Sequence, residues 1–302
     1  MASTPRSSRS RPTPSPSHHF DAIGTRWQID TAAELDAACI AAIADRAERY
    51  DRAWSRFRDD SLVQRMSSEP GAYRLPAEAV ELFRVYRALY EATDGAMSPL
   101  VGRALEDWGY DRAYSLRAAA SIRPVPRWKD AIAWDGETLD VATPVVLDVG
   151  AAGKGQLVDL LAGVLADHGV GGFTVDGSGD LLHTSSTPLR VALEHPLDRS
   201  KAIGVATVTS GALCASATNR RSWPVPGGTA HHVIDAITGI PTRRMIATWV
   251  TASTALEADA LATALFFVEP ERLREWFEFE CVRMSPDGRV QSSPGFPARM
   301  FT

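Results

Sequence analysis

Residues 145–182 read VVLDVGAAGKGQLVDLLAGVLADHGVGGFTVDGSGDLL, and this stretch determines most of the predicted fold. The apolar run of residues 145–149 predicts a buried strand, and the three glycines of residues 150–155 predict a loop. Leucine and valine then recur at helical spacing, and Gly169 is placed to end a helix. Residues 173–182 predict a second strand that runs into a glycine turn. The centre of the chain is therefore predicted to run strand, glycine loop, helix, strand.

The flanking sequence predicts helices on both sides of this unit and strands mainly after it. Apolar residues at helical spacing predict helices over residues 31–57, 76–93 and 255–268, the last of which opens with a Thr-x-x-Glu capping box. Short apolar runs bounded by turn residues predict strands. The predicted strands cover residues 20–30 (broken by a Gly-Thr), 191–193, 206–209 and 248–251, and a hairpin of residues 281–284 and 289–292.

Composition limits the class of protein. The chain has 302 residues, of which 45% are hydrophobic and 23% are charged, which suits one large globular domain or two modest ones. The formal net charge of -5 gives no basic excess, so we expect no nucleic-acid partner. The three cysteines lie far apart without a CxxC pair, which provides no zinc spacing and fits a reducing compartment.

The N-terminal residues differ in composition from the rest. Residues 1–18 are rich in Ser, Pro and Arg, so we predict a disordered tail there, followed by a domain over residues 19–302. The tail lacks the apolar core of a secretory signal. No apolar run approaches the roughly 20 residues that span a bilayer. We therefore expect a cytoplasmic protein without a transmembrane segment.

Two local patterns could hold a ligand that bears phosphate. The loop GAAGKG, residues 150–155, places Lys154 and free backbone N–H groups at a helix N-terminus, which favours anions. It lacks the Ser or Thr of a P-loop, and it is equally compatible with a tight strand-to-helix turn. Asp259 and Thr263 lie four residues apart on one helical face, and their hard oxygens suit Mg²⁺. Taken alone, such a pair is also compatible with a solvated helix face.

A histidine pair precedes a turn in the second half of the chain. In a strand over residues 231–235, alternation would place His232 and Ile234 on the same face. The turn that follows is a place where loops bring functional groups together. A strand histidine more often has a structural role, so the pattern alone leaves both roles open.

Five short motifs resemble, in the same order, those of the FAD:protein FMN transferases, also called ApbE-type flavin transferases. They are LDVGAAGKG (147–155), VDGSGDL (175–181), TSG (209–211), HHVIDAITGIP (231–241) and ADALATALF (258–266). Each motif is short, but five in the family's order are specific. The resemblance extends over most of the chain.

The resemblance implies an α+β fold of mixed sheets flanked by helices, with FAD held in a cleft. It implies a Mg²⁺ ion bound by Asp259, Thr263 and a backbone carbonyl at Gly153. His232 would lie near the pyrophosphate as a base or hydrogen-bond donor. The implied flavin-nucleotide site comprises Phe57, Ser98, Asp148 and Lys154, with Phe57 stacked on the isoalloxazine.

The implied reaction moves FMN from FAD to a Thr or Ser hydroxyl of an acceptor flavoprotein and releases AMP. A Mg²⁺-dependent FAD pyrophosphatase, a non-catalytic flavin-binding protein and a globular protein without a flavin site remain as alternatives. The chain departs from the family pattern in ways that bear on flavin affinity and acceptor choice more than on the metal site. These departures are Ser98 for an acidic residue, Ala236 for a proline, Gly153 for an alanine, and residues 212–214 for acidic and tyrosine positions.

Overall fold

The structure is a computed structural model that describes residues 16–301. The helices are α1 (Ala37–Trp54), α2 (Leu62–Met66), α3 (Ala79–Ala92), α4 (Gly102–Asp107), α5 (Trp128–Ala131), α6 (Gly153–Asp167), α7 (Ala255–Ala264) and α8 (Pro270–Leu273). The strands of the first half are β1 (Ser17–Ala22), β2 (Thr25–Thr31), β3 (Gly71–Arg74), β4 (Ile132–Trp134) and β5 (Thr138–Val141). The strands that follow α6 are β6 (Phe173–Asp176), β7 (Leu181–His183), β8 (Leu189–His195), β9 (Asp198–Val208), β10 (Gly211–Ala217), β11 (Ser222–Val225), β12 (Gly228–His231), β13 (Ile234–Asp235), β14 (Ile240–Pro241), β15 (Ala247–Ala252), β16 (Glu280–Met284), β17 (Val290–Ser292) and β18 (Ala298–Met300).

An antiparallel sheet, ordered β1-β2-β6-β7-β10-β15-β16-β17, forms the centre of the fold. Its side chains alternate between two faces, as extended strands require. On β10, Cys214 packs into the core shared with the helices, whereas Leu213 packs into a second core. On β15, Val250 packs into the core shared with the helices, and Trp249 packs into the second core. The sheet is therefore buried on both faces.

Different layers cover the two faces. Helices α1, α3, α6 and α7 pack together on one face, where α7 lies against β10 and β15. Residues of a three-stranded sheet, β18-β9-β8, share the second core with the other face. This arrangement confirms the expected α+β class. Within residues 16–301, no helix combines the length and apolarity needed to cross a membrane.

Helices α6 and α7 meet at a glycine. A Cβ on Gly155 would lie 2.0 Å from the carbonyl oxygen of Ala255 and 2.7 Å from the Cβ of Asp259. One turn further along α6, the Asp159 carboxylate accepts the N–H groups of Ala255 and Leu256, at 2.8 Å each. A carboxylate suits this position because the N-terminus of a helix carries a partial positive charge. The glycine loop and α7 are thereby fixed relative to each other.

We expect Gly155→Ala to destabilise the protein by about 1–3 kcal/mol, because the new methyl group forces the two helices apart. Gly163→Ala is the matched control, since the added Cβ on the same helix meets no atom within 4 Å. That change should stabilise the protein by about 0.5–1 kcal/mol, the usual gain for alanine over glycine inside a helix. Urea unfolding measures both values. Equal stability of the two variants would contradict the close contact.

Several sequence predictions are confirmed with shifted boundaries. The helices predicted over residues 76–93 and 255–268 are α3 and α7, and the predicted C-terminal hairpin is β16–β17. The helix predicted from residue 31 begins six residues later, because the preceding segment forms β2 and Asp36 caps the helix. Residues 1–15 of the predicted tail lie outside the described residues, and β1 begins at Ser17.

The strand predicted at residues 145–149 is wrong. This segment is buried apart from Asp148, but it does not form a strand. The backbone N–H of Val145 donates to the carbonyl oxygen of Met66, at 3.0 Å. The backbone N–H of Asp148 donates to the carbonyl oxygen of Pro99, at 2.7 Å. An apolar run predicts burial, but it does not say which partners the backbone groups will have. Here the buried N–H groups donate hydrogen bonds to carbonyl groups outside any strand.

Candidate functional site

A cleft of about 650 Å³ lies where the start of α6, the inner side of α7 and the loop after β12 come together. All eight residues predicted for the site line this cleft, although they come from distant parts of the chain. They are Phe57, Ser98, Asp148, Gly153, Lys154, His232, Asp259 and Thr263. The fold therefore collects them in one place.

One end of the cleft carries the two hard oxygen donors of α7. Asp259 is 3% exposed, and its Oδ2 accepts the N–H of Gly155 at 2.9 Å. The hydroxyl of Thr263, one turn further along, lies 3.2 Å from that of Ser216. Burial raises the pKa of the Asp259 carboxyl, and the nearby charge of Asp180 raises it further. A cation at this position would favour the ionised carboxylate.

The donor set fits magnesium. Within residues 16–301, no group of three or more His, Cys, Asp or Glu side chains is arranged to hold a metal. The predicted ligand set offers one carboxylate, that of Asp259, one hydroxyl, that of Thr263, and the backbone of Gly153, the first residue of α6. Magnesium ordinarily takes one or two carboxylates and completes its octahedron with water and substrate phosphate. A site this sparse therefore suits a metal bound together with a phosphate-bearing ligand.

Lys154 is held in place by a residue to which the sequence analysis gave no role. Its Nζ forms an ion pair with Asp180, which is 0% exposed and also accepts the N–H of Ala215 at 3.2 Å. Burial lowers the pKa of Lys154, but the charges of Asp180 and Asp259 outweigh this and hold the pKa above its ordinary value. The cleft therefore keeps a charged lysine beside Asp259. The sequence signal for Asp180 was its place directly after the glycine turn of VDGSGD.

Asp148 has an arginine partner that the sequence did not indicate. Its Oδ2 accepts from Nε of Arg56 at 2.6 Å, and its Oδ1 accepts the N–H of Gly150 at 2.8 Å. Asp148 therefore orients Arg56, which is 3% exposed and also lines the cleft.

An aromatic cluster forms the wall beside Arg56. The ring of Phe57 stacks on that of Tyr114, with centroids 5.3 Å apart and an interplanar angle of 8°, and meets Tyr110 nearly edge-on at 5.5 Å. Tyr114 is 53% exposed and has a left-handed φ of 49°. A flat ligand could reach this face of Phe57 only after Tyr114 moved.

Ser98 is buried at the start of a short 3-10 turn, Pro99–Val101. Its hydroxyl accepts the N–H of Leu100 at 3.2 Å. The hydroxyl therefore caps this turn. The carbonyl oxygen of Pro99, in the same turn, accepts the backbone N–H of Asp148. Ser98 thus helps to position one wall of the cleft.

The two neighbouring histidines have different environments. His231 is buried with Nε2 2.7 Å from the carbonyl oxygen of Thr242, which is a structural contact. His232 is partly exposed in the cleft, and its Nδ1 lies 3.4 Å from the carbonyl oxygen of Arg221. Burial and the charge of Arg221 lower the pKa of His232, so its imidazole is neutral at pH 7. In a neutral ring with its proton on Nδ1, the Nε2 atom is free to accept a proton from a ligand.

Residues 231–235 do not form one continuous strand. His231 ends β12, and β13 begins at Ile234, so a break separates the two elements. His232 lies in that break. The backbone N–H of His232 donates to the carbonyl oxygen of Arg221 at 3.3 Å, and His232 belongs to neither strand.

Residues 23–284 match the sequence model of the ApbE family. The chain belongs to the ApbE family. Its curated relatives include proteins named FAD:protein FMN transferase. The relative from Klebsiella pneumoniae (strain 342) is 27% identical over 275 residues, which cover 84% of this chain and 78% of the relative. The relative from Treponema pallidum (strain Nichols) is 27% identical over 313 residues, which cover 92% and 86%.

Solved ApbE structures share the fold. The ApbE protein of Thermotoga maritima superposes with a TM-score of 0.79 at 23% identity, covering 93% of this chain and 97% of that one. The flavin transferase ApbE of Vibrio cholerae gives a TM-score of 0.76 at 20% identity, covering 94% and 99%. These likenesses confirm the ApbE fold, and the family match confirms the resemblance seen in the sequence.

Proposed function

We propose that this chain is a Mg²⁺-dependent FAD:protein FMN transferase. It would cleave the FAD pyrophosphate, attach FMN through a phosphoester to a Thr or Ser hydroxyl of an acceptor protein, and release AMP. The observation that carries the proposal is the meeting, in one cleft, of a hard-oxygen pair, a charged lysine and a neutral histidine. The names of the curated relatives support the same activity.

The phosphate end of the site would be formed by α6 and α7. Asp259, Thr263 and the carbonyl of Gly153 would hold Mg²⁺, which supplies positive charge against the oxygens of the pyrophosphate. Lys154, whose charge is paired with Asp180, would donate a hydrogen bond to a phosphate oxygen at the N-terminus of α6. The charge of the metal and this donor would favour AMP as a leaving group.

His232 is the proposed base. Its neutral imidazole would accept the proton of the acceptor hydroxyl while the hydroxyl oxygen bonds to the phosphorus of the FMN half. The phosphorus–oxygen bond to the AMP half breaks, and AMP departs with that oxygen. The partial exposure of His232 allows a hydroxyl of another protein to reach it.

The test follows AMP and acceptor mass together. The purified chain is incubated with FAD, Mg²⁺ and a protein substrate of an ApbE relative. Mg²⁺-dependent AMP with an equal amount of covalent FMN supports the transferase. AMP with free FMN and an unmodified acceptor indicates a pyrophosphatase instead. Bound FAD without AMP under any condition indicates a flavin-binding protein without catalysis.

A further inference from the structure

Three buried donor nitrogens in the lining of the cleft have no hydrogen-bond partner among residues 16–301. They are Nε1 of Trp54 and both terminal nitrogens of Arg56. Each of the two residues is 3% exposed. Because a buried donor without a partner is costly, each such group in a folded protein needs an explanation. Donors that share a ligand cleft are explained by a ligand that brings acceptors.

The charge of Arg56 is already compensated. Its Nε donates to Asp148 at 2.6 Å, so the pair has no net charge. The terminal nitrogens can therefore donate hydrogen bonds without the pair attracting an anion. This arrangement favours neutral acceptors such as carbonyl oxygens over phosphate.

The surroundings of Arg56 are aromatic. Its guanidinium carbon lies 4.1 Å from the ring centroid of Phe57 and 4.7 Å from that of Tyr110. Tyr110 stacks in turn on Trp223, with centroids 5.7 Å apart. A wall of this kind suits a flat heteroaromatic ring that carries carbonyl groups on one edge.

We propose that Arg56 recognises the isoalloxazine ring by donating its terminal N–H groups to the carbonyl oxygens of the pyrimidine edge, with Trp54 as an additional donor. The proposal rests on the proposed function, which supplies FAD as the ligand. Arg56 then selects the flavin half of the substrate, while α6 and α7 bind its phosphates.

Access to these donors requires the aromatic wall to move. The terminal nitrogens of Arg56 are fully buried, so a ligand cannot reach them in the arrangement described. Tyr114 is the exposed member of the wall and stacks on Phe57, the neighbour of Arg56. Displacement of Tyr114 by the isoalloxazine would uncover the Phe57 ring, and a shift of that ring would then expose Arg56, which packs against it.

The test compares Arg56→Gln and Arg56→Lys with Arg52→Gln. Arg52 lies one turn earlier, is 60% exposed and is not part of the cleft lining. Riboflavin, FMN, FAD and ADP are titrated separately by calorimetry. We expect both Arg56 variants to bind riboflavin, FMN and FAD at least about tenfold more weakly, with ADP affinity unchanged, since one or two charged hydrogen bonds are lost. Arg52→Gln should match the unmodified protein.

Other outcomes separate this proposal from the proposed function. Unchanged riboflavin affinity with weaker FMN and ADP binding would assign Arg56 to phosphate and overturn the proposal. Flavin binding by the Arg56 variants equal to that of the unmodified protein would overturn this proposal alone. An unmodified protein that binds no flavin would overturn both. If the Arg56 variants do not fold, Trp54→Phe removes one donor without changing charge, and its flavin affinity should fall severalfold; unchanged affinity would reject the arrangement.

Discussion

We expect Asp259→Asn to reduce magnesium-dependent AMP release from FAD by on the order of 10³-fold. Asp259 is the one carboxylate of the proposed metal site, and metal stabilisation of transition-state charge contributes several kcal/mol, at 1.36 kcal/mol for each factor of ten. An asparagine keeps an oxygen that can accept the N–H of Gly155, so the contact between α6 and α7 is retained. The loss should therefore reflect the metal and not the fold.

Chromatographic detection of AMP measures this effect, and calorimetry measures Mg²⁺ binding in the presence of FAD. Glu257→Gln is the matched control on the same helix, because Glu257 pairs with Arg84 and does not line the cleft. It should retain nearly full activity. Asp259→Asn with undiminished Mg²⁺ affinity would place the metal elsewhere.

We expect His232→Gln to slow transfer of FMN to the acceptor by about 10²- to 10⁴-fold, the usual contribution of a general base. FAD affinity should change little, because the proposed role of His232 is to accept a proton. His168→Gln is the control, since His168 is exposed at the end of α6. A single-turnover assay with the acceptor measures the rate. A His232 variant that transfers FMN at the normal rate would remove this residue from the mechanism.

The pH profile gives an independent reading of the same residue. Because His232 must be neutral to act, the rate should rise with pH through its lowered pKa and then stay level. Arg221→Gln removes a positive charge beside the ring, so the pKa of His232 should rise and the acidic limb of the profile should move to higher pH. If the acidic limb of the profile does not move in this variant, a group other than His232 controls the pH dependence of the rate.

The parts of the site that the sequence predicts are those set by local geometry. Asp259 and Thr263 lie four residues apart, and helix periodicity alone places them on one face of α7. Lys154 follows a glycine loop that begins α6, so its position at a helix N-terminus is also local. The glycine Gly169 has the left-handed φ, 72°, expected of a residue that ends α6.

The parts that the sequence does not predict depend on partners distant along the chain. Asp180 and Arg56 matter because of Lys154 and Asp148, and neither pairing follows from local spacing. The apolar run of residues 145–149 shows the same limit, because burial is encoded locally and strand pairing is not. Motif resemblance predicted the site residues, and only the fold shows which neighbours hold their side chains in place.

Transfer of the FMN half of FAD to a protein hydroxyl changes the mass of the acceptor. Intact-mass spectrometry of an acceptor protein, after incubation with this chain, FAD and Mg²⁺, measures this transfer most directly. We expect the acceptor to gain one FMN for each AMP released, with no gain when Mg²⁺ is omitted or when the target Thr or Ser is replaced by Ala. An acceptor of unchanged mass, in a reaction that has released AMP and free FMN, would contradict this transfer.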